Sequence, residues 1–137
     1  MRLKDCHSFV DFRELARRRL PGPIFNYIDG AADDESTYDR NTKSFEDCDL
    51  VPNVLRGVEN IDMSVEILGQ KLDMPIYCSP TALQRVFHHE GENAVAAAAD
   101  KYGTLFGVSS LGTVSLSEVR KQYSGPQCYQ VYFHKDR

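Results

Sequence analysis

From about Lys71 onward the chain alternates short apolar runs with stretches of helical periodicity, whereas the residues before it carry helical stripes and loosely extended segments. Pro75 to Ala82, reading PIYCSPTA, is apolar and then abruptly polar. Thr104 to Ser110, TLFGVSS, and Gln127 to Tyr132, QCYQVY, repeat that pattern. Apolar runs of strand length bounded by turn residues predict strands near Pro75 to Ser79, Leu105 to Val108 and Cys128 to Tyr132. Between the first two, Glu92 to Tyr102 predicts a helix with Val95, Ala98, Ala99 and Tyr102 on one apolar face and Gly103 as its stop. Ser115 with Glu118 has the spacing of a capping box and opens another helix, which fades by Tyr123 to Pro126. Strand, helix, strand, helix, strand with short connections is an α/β pattern, and implies parallel pairing through right-handed crossovers.

The first half reads differently. Ser8 and Asp11 form a second capping-box pattern, followed by Phe12, Leu15 and Ala16 at helical spacing, so a helix is expected from about Ser8 to Arg19. Leu20-Pro21-Gly22-Pro23 breaks it, and a short helix over Ile24 to Asp29 follows. Asp33, Asp34 and Glu35 lead into a third helical stretch ending near Phe45, where carboxylates complement the dipole of the helix start in preference to binding a metal. Leu50 to Leu55 and Met63 to Leu68 read as extended or short strand segments with turns at Gly57 and Gly69.

In parallel α/β folds ligands meet the carboxyl ends of the strands. The polar groups placed there are Thr81, Ser109, Ser110, Gln130 and Tyr132. Hydroxyls after strands also cap turns and helices, the favoured reading for Ser110 and Thr113. Gln130 and Tyr132 alternate on one face of a strand whose other face is apolar, which suits a polar interior. Tyr27, between Phe25 and Ile28, is by spacing alone a core or cap aromatic, and His88 with His89 lacks a third ligand and reads as a solvated loop, so no metal site is assigned.

Composition narrows the classes. A chain of 137 residues, 42% hydrophobic and 26% charged, forms one domain at most and has the balance of a soluble globular protein. A net charge of -4 without a Lys/Arg cluster disfavours nucleic acid. The N-terminus has no apolar stretch of signal-peptide length, and Ala94 to Ala99 is far too short to cross a bilayer. Cys6, Cys48, Cys78 and Cys128 are scattered without a CxxC pair, which favours buried, reduced thiols and a cytoplasmic location, the inner face of the membrane included. No GxGxxG, Walker or GxSxG motif occurs.

The runs NYIDGAADDEST, VPNVLRGVENIDMSVEILGQKLDMPIYCSPTAL, HEGENAVAAAADKYGT, VSSLGTVSLSEV and YQVYFHKDR together resemble the N-terminal part of the FMN-dependent 2-hydroxy acid dehydrogenases and oxidases, the family of L-lactate dehydrogenase and glycolate oxidase. The resemblance runs over nearly the whole chain in the same order. It implies the N-terminal part of a TIM (β/α)8 barrel with a preceding helical segment: a cap over about 1–70 and three βα units over about 71–137. It further implies FMN as cofactor, with Pro80, Thr81 and Ala82 against the flavin and Ser109 and Gln130 hydrogen-bonded to its ring. Tyr27 and Tyr132 match the family's substrate-binding tyrosines, so the resemblance reverses the reading of Tyr27.

The reaction implied is oxidation of a small L-2-hydroxy acid. Leu111 stands where glycolate-using members carry tryptophan, and the space it leaves favours L-lactate, converted to pyruvate; Ala82 also suits short-chain acids. Ala31 departs from the glycine common there. The family's lysine near the flavin, catalytic histidine and substrate-binding arginine match no residue up to Arg137, so no catalytic residue is assigned, and the electron acceptor and any membrane attachment are set elsewhere. The other reading is a non-catalytic flavin-binding or interaction module, which the reading frame past Arg137 would distinguish. Three βα units leave a parallel strand edge unpaired, so homo-oligomer formation, recruitment of a partner or aggregation is expected of the isolated chain. The purified 137-residue polypeptide is expected to be inactive, since a general base is worth roughly 10²–10⁴ in rate; turnover of L-lactate by it would overturn that expectation.

Overall fold

Ser8 and Ser115 open their helices as the sequence pattern requires. In the computed structural model, which describes residues 2–135, each serine hydroxyl accepts the amide N–H of the residue three positions on, and the carboxylate there accepts the serine N–H. These capping boxes start α1, Phe9–Arg19, and α6, Leu116–Gln122. The His7 amide with the Ser8 hydroxyl and amide holds the Asp11 carboxyl below its ordinary range, and the Ser115 hydroxyl and amide do the same for Glu118. The chain divides into two compact units, Met1–Gly57 and Val58–Arg137. Among the described residues no helix is long and apolar enough to cross a membrane.

The first unit is helical. After a 3-10 turn over Leu3–Asp5 come α1, then α2, Gly22–Asp29, and α3, Ser36–Glu46. Leu15 of α1 and Phe25 of α2 are its buried apolar side chains. The two helices are also pinned by Arg13, whose guanidinium donates to both carboxylate oxygens of Asp29 at 2.5 and 2.8 Å. That pair holds the Asp29 carboxyl well below its usual range and raises Arg13. The acidic trio does not cap α3 as expected. Glu35 occupies the N-cap at φ +56° without a side-chain cap, and its carboxylate turns back to accept the Ala31 N–H at 3.0 Å. Leu50 to Leu55 forms no strand, and its apolar side chains are exposed, since no neighbouring edge takes up its backbone groups.

The second unit begins with a hairpin, β1, Val65–Ile67, and β2, Gln70–Leu72. Ile67 pairs with Gln70, and the two linking residues, Leu68 at φ +53° and Gly69 at φ +72°, take the left-handed conformations of a tight hairpin turn. A short α4, Gln84–Phe87, precedes α5, Glu92–Lys101; β3, Phe106–Ser109, then α6 and β4, Gln127–Gln130, complete the order. β3 pairs with β4 in parallel, from Phe106 opposite Gln127 to Ser109 opposite Gln130.

Three expectations need correction here. The strand near Pro75 to Ser79 is reduced to one parallel bridge between Cys78 and Phe106, with Cys78 N–H bonded to the Leu105 carbonyl at 2.9 Å and Gly107 N–H to the Cys78 carbonyl at 2.8 Å. Pro75 and Pro80 lack amide donors at its two ends, and Ile76 and Tyr77 stay 65% and 53% exposed. β4 ends at Gln130, so Tyr132 does not share a strand face with it. The buried face of α5 is Glu92, Ala96 and Ala99, whereas Ala98 and Tyr102 are exposed. An alanine run is nearly uniform around a helix, and the face is decided by Glu92 turning inward. Cysteines are free, as expected, but only partly buried, with Cys48 exposed; burial pushes the Cys78 thiol up.

The core lies between α5 and α6 and the face of β3 that carries Phe106 and Val108, joined by Ala96, Ala99, Val114 and Val119. Strand alternation sends Gly107 and Ser109 to the opposite face. Phe106 is 1% exposed, so Phe106→Ala should destabilise the unit by about 3–5 kcal/mol in denaturant titration; a loss near zero would mean that this face is not the core.

Candidate functional site

The carboxyl end of β3 gathers the polar groups. Ser109 and Gln130 are register partners, so their side chains rise on the same face of the sheet. The Ser109 hydroxyl donates to Gln130 Oε1 at 3.3 Å and accepts the Leu111 N–H at 3.2 Å. The ladder continues one step further, Ser110 N–H to the Gln130 carbonyl at 3.1 Å. With Oε1 engaged by Ser109, the Gln130 Nε2 amide makes no hydrogen bond among the described residues. The buried Ser110 hydroxyl likewise has no hydrogen-bond partner among the described residues.

Pro80 packs against β3 because residue 107 is glycine. A Cβ at Gly107 would stand 2.8 Å from Pro80 Cδ and 2.9 Å from Pro80 N, closer than side chains tolerate. The turn is held from below by Gln84, itself buried, whose Nε2 donates to the Thr81 carbonyl at 3.2 Å. Leu83 N–H donates to the Leu111 carbonyl at 3.1 Å, so the segment after Cys78 and the segment after β3 are directly bonded.

A carboxylate beneath both segments was not singled out from sequence. Glu92, the first residue of α5, is 0% exposed. Its Oε1 accepts the Thr113 N–H at 2.7 Å and its Oε2 the Thr113 hydroxyl at 2.6 Å. Desolvation pushes its pKa up, but the Thr113 hydroxyl and amide, with backbone amides of Glu92 and Gln84, outweigh it and leave the carboxyl below its ordinary value. On sequence, a glutamate in a first helical turn reads as a dipole complement on the surface; only burial distinguishes it.

Tyr132 lies just past β4 and is 54% exposed. Tyr27 is in α2 of the first unit and is 59% exposed. Leu111 is exposed in the turn after β3. His88 and His89 do have a third neighbour: Glu90 brings three ligand atoms within 4.8 Å, all on exposed residues, while the Glu90 N–H donates to His88 Nδ1 at 3.4 Å.

Residues 16–137 match the model of the family described as FMN-dependent dehydrogenase. The chain belongs to that family. It is 40% identical over 130 residues to an L-lactate dehydrogenase of Xanthobacter autotrophicus, covering 95% of this chain and 34% of the relative. Against the glycolate oxidase of Spinacia oleracea it is 39% identical over 127 residues, covering 93% and 34%. A solved mandelate oxidase with 3,3-difluoro-2-hydroxy-3-phenylpropionic acid superimposes with a TM-score of 0.86 at 33% identity, over 94% of this chain and 39% of that one. The chain thus spans about a third of the length of the curated relatives it matches. Its fold is the N-terminal part of a (β/α)8-barrel flavoenzyme, as the resemblance in sequence implied.

The donor set fits the ring of a flavin better than its phosphate. Ser109 and Gln130 are neutral groups that donate and accept, as the heteroatoms along an isoalloxazine edge require, whereas a phosphate calls for cations. Gly107→Ala should force the Pro80 turn off β3 and cost about 1–3 kcal/mol; a thermal melt unchanged by the substitution would show that the contact is not required.

Proposed function

We propose that this chain supplies the flavin-ring side of an FMN-dependent L-2-hydroxy acid dehydrogenase or oxidase, with L-lactate as substrate and pyruvate as product. The observation that carries the reading is the hydrogen-bonded pair Ser109 and Gln130 beside the Pro80–Ala82 turn, in a chain belonging to this family. Gln130 Nε2 makes no hydrogen bond among the described residues and is available to a ligand's acceptor. Ser109, by fixing Gln130 Oε1, turns the amide donor outward. Pro80, Thr81 and Ala82 offer a backbone and small side chains against which a flat ring can lie.

Bound flavin would accept the two electrons removed from the hydroxy acid. Tyr27 and Tyr132 are assigned to the substrate carboxylate, because a phenol donates a hydrogen bond while its ring excludes water. No residue of this chain is assigned as the base. Leu111, smaller than an indole, leaves room for the lactate methyl group.

The test is the visible spectrum of the natural gene product containing this chain, with and without L-lactate and glycolate under anaerobic conditions. Flavin absorbance that bleaches with L-lactate at lower concentration than with glycolate is expected. A flavoprotein that neither acid bleaches would overturn the enzymatic reading, and a preference for glycolate would overturn the substrate.

A further inference from the structure

Two segments of the second unit, Ser109–Thr113 and Pro80–Arg85, carry all the groups assigned to the flavin except Gln130, and most of each lies outside regular structure. Each needs something to set its position to within a hydrogen bond's tolerance. Ser109 begins the first of these loops at the end of β3, and Thr113 ends it. The second runs from Pro80 to Arg85, where α4 has begun. Both converge on one buried acid.

Glu92 receives the loop after β3 through two bonds to Thr113, amide and hydroxyl, one on each carboxylate oxygen. Thr113 Oγ1 in turn accepts the Arg85 N–H at 3.2 Å, so the hydroxyl relays the carboxylate to the other loop. Leu83 N–H to the Leu111 carbonyl joins the two loops a second time. Space for this junction comes from the glycine before Glu92. A Cβ on Gly91, at φ +54°, would stand 2.6 Å from Arg85 Cγ, 3.2 Å from Arg85 N and 3.4 Å from Thr113 Oγ1. Gly112 is equally confined, since a Cβ there would lie 3.0 Å from the Ser109 carbonyl oxygen and 3.2 Å from Glu92 Oε1.

A glutamate buried from solvent for helix packing alone is hard to account for. Alanines line the rest of that face of α5, and an apolar residue would complete it without desolvating a charge. The carboxylate has no ion-pair partner among the described residues; its side chain is bonded by the Thr113 amide and hydroxyl, and Arg85 of the other segment reaches it through that hydroxyl. Hydrogen bonds to a charged acceptor are stronger than neutral ones, and in a chain of them each polarises the next. We propose that Glu92, acting through Thr113, is a positioning residue that locks the Pro80–Arg85 and Ser109–Thr113 segments into one rigid frame for the flavin ring. This rests on the flavin reading above, and adds to it a residue that touches neither cofactor nor substrate.

The test uses the natural gene product containing this chain, with Glu92→Gln, Thr113→Val and Thr113→Ser variants. FMN affinity is read by quenching of flavin fluorescence, and ring setting by visible circular dichroism at saturating FMN. Thr113→Ser keeps the hydroxyl and should bind like the parent; Glu92→Gln and Thr113→Val should each weaken FMN by about tenfold, the worth of a hydrogen bond to a charged group. The visible bands of those two variants should also shift, which a loss of global stability alone would not cause once the site is saturated. Affinity within about twofold of the parent's, or unshifted bands, in folded Glu92→Gln would overturn the proposal. If Glu92→Gln fails to fold, Thr113→Val is measured in the same two ways, and unchanged affinity or unshifted bands in it overturn the proposal equally. A parent protein that binds no FMN overturns the flavin reading itself and this proposal with it; a parent that binds beside unaffected variants overturns this proposal alone.

Discussion

Everything in the second unit depends on β3 being hydrogen-bonded on both edges while packed on both faces. Its Phe106 and Val108 close the core against α5 and α6, and Gly107 lets the Pro80 turn approach from the other side. Cys78 bonds one edge and β4 the other. A strand so enclosed cannot shift register without exposing its apolar set, because a slip of one residue exchanges the two faces. Ser109 and Gln130 are brought opposite each other by that register and by no local signal.

The polar architecture above β3 follows from the same enclosure. Segments that leave a buried strand carry backbone groups that must find partners. Here they find each other, through Leu83 to Leu111 and Ser110 to Gln130, and they find Glu92 through Thr113. A site whose loops are mutually satisfied can present the Gln130 amide with little freedom to reorganise. In the helical unit a single bidentate ion pair, Arg13 to Asp29, ties α1 to α2 in the same manner.

Much of this was legible beforehand where the governing interaction is local. Capping boxes at Ser8 and Ser115 are short-range hydrogen bonds between residues three apart, so the spacing alone placed both helix starts. Gly69 marked the hairpin turn, and β3 and β4 fell within a residue or two of the apolar runs that announced them. The family pattern in the sequence named Pro80, Thr81, Ala82, Ser109 and Gln130; of these, Ser109 and Gln130 are hydrogen-bonded at the carboxyl end of β3 and Pro80 packs against Gly107. Tyr27 stands out only through that pattern, since an aromatic at helical spacing carries no mark of exposure or burial.

What the sequence determined by itself was the set of helices with their own caps, the α/β order of the second unit, and the family to which the chain belongs. Tertiary structure alone decided which face of an alanine helix is inward, that Pro75 to Ser79 pairs only at Cys78, that Tyr132 leaves the sheet, and that Glu92 is enclosed. The physical reason is common to all four. Caps and turns are settled by neighbours a few residues away, whereas strand pairing and the burial of a charge depend on which distant segments supply the missing donors and acceptors.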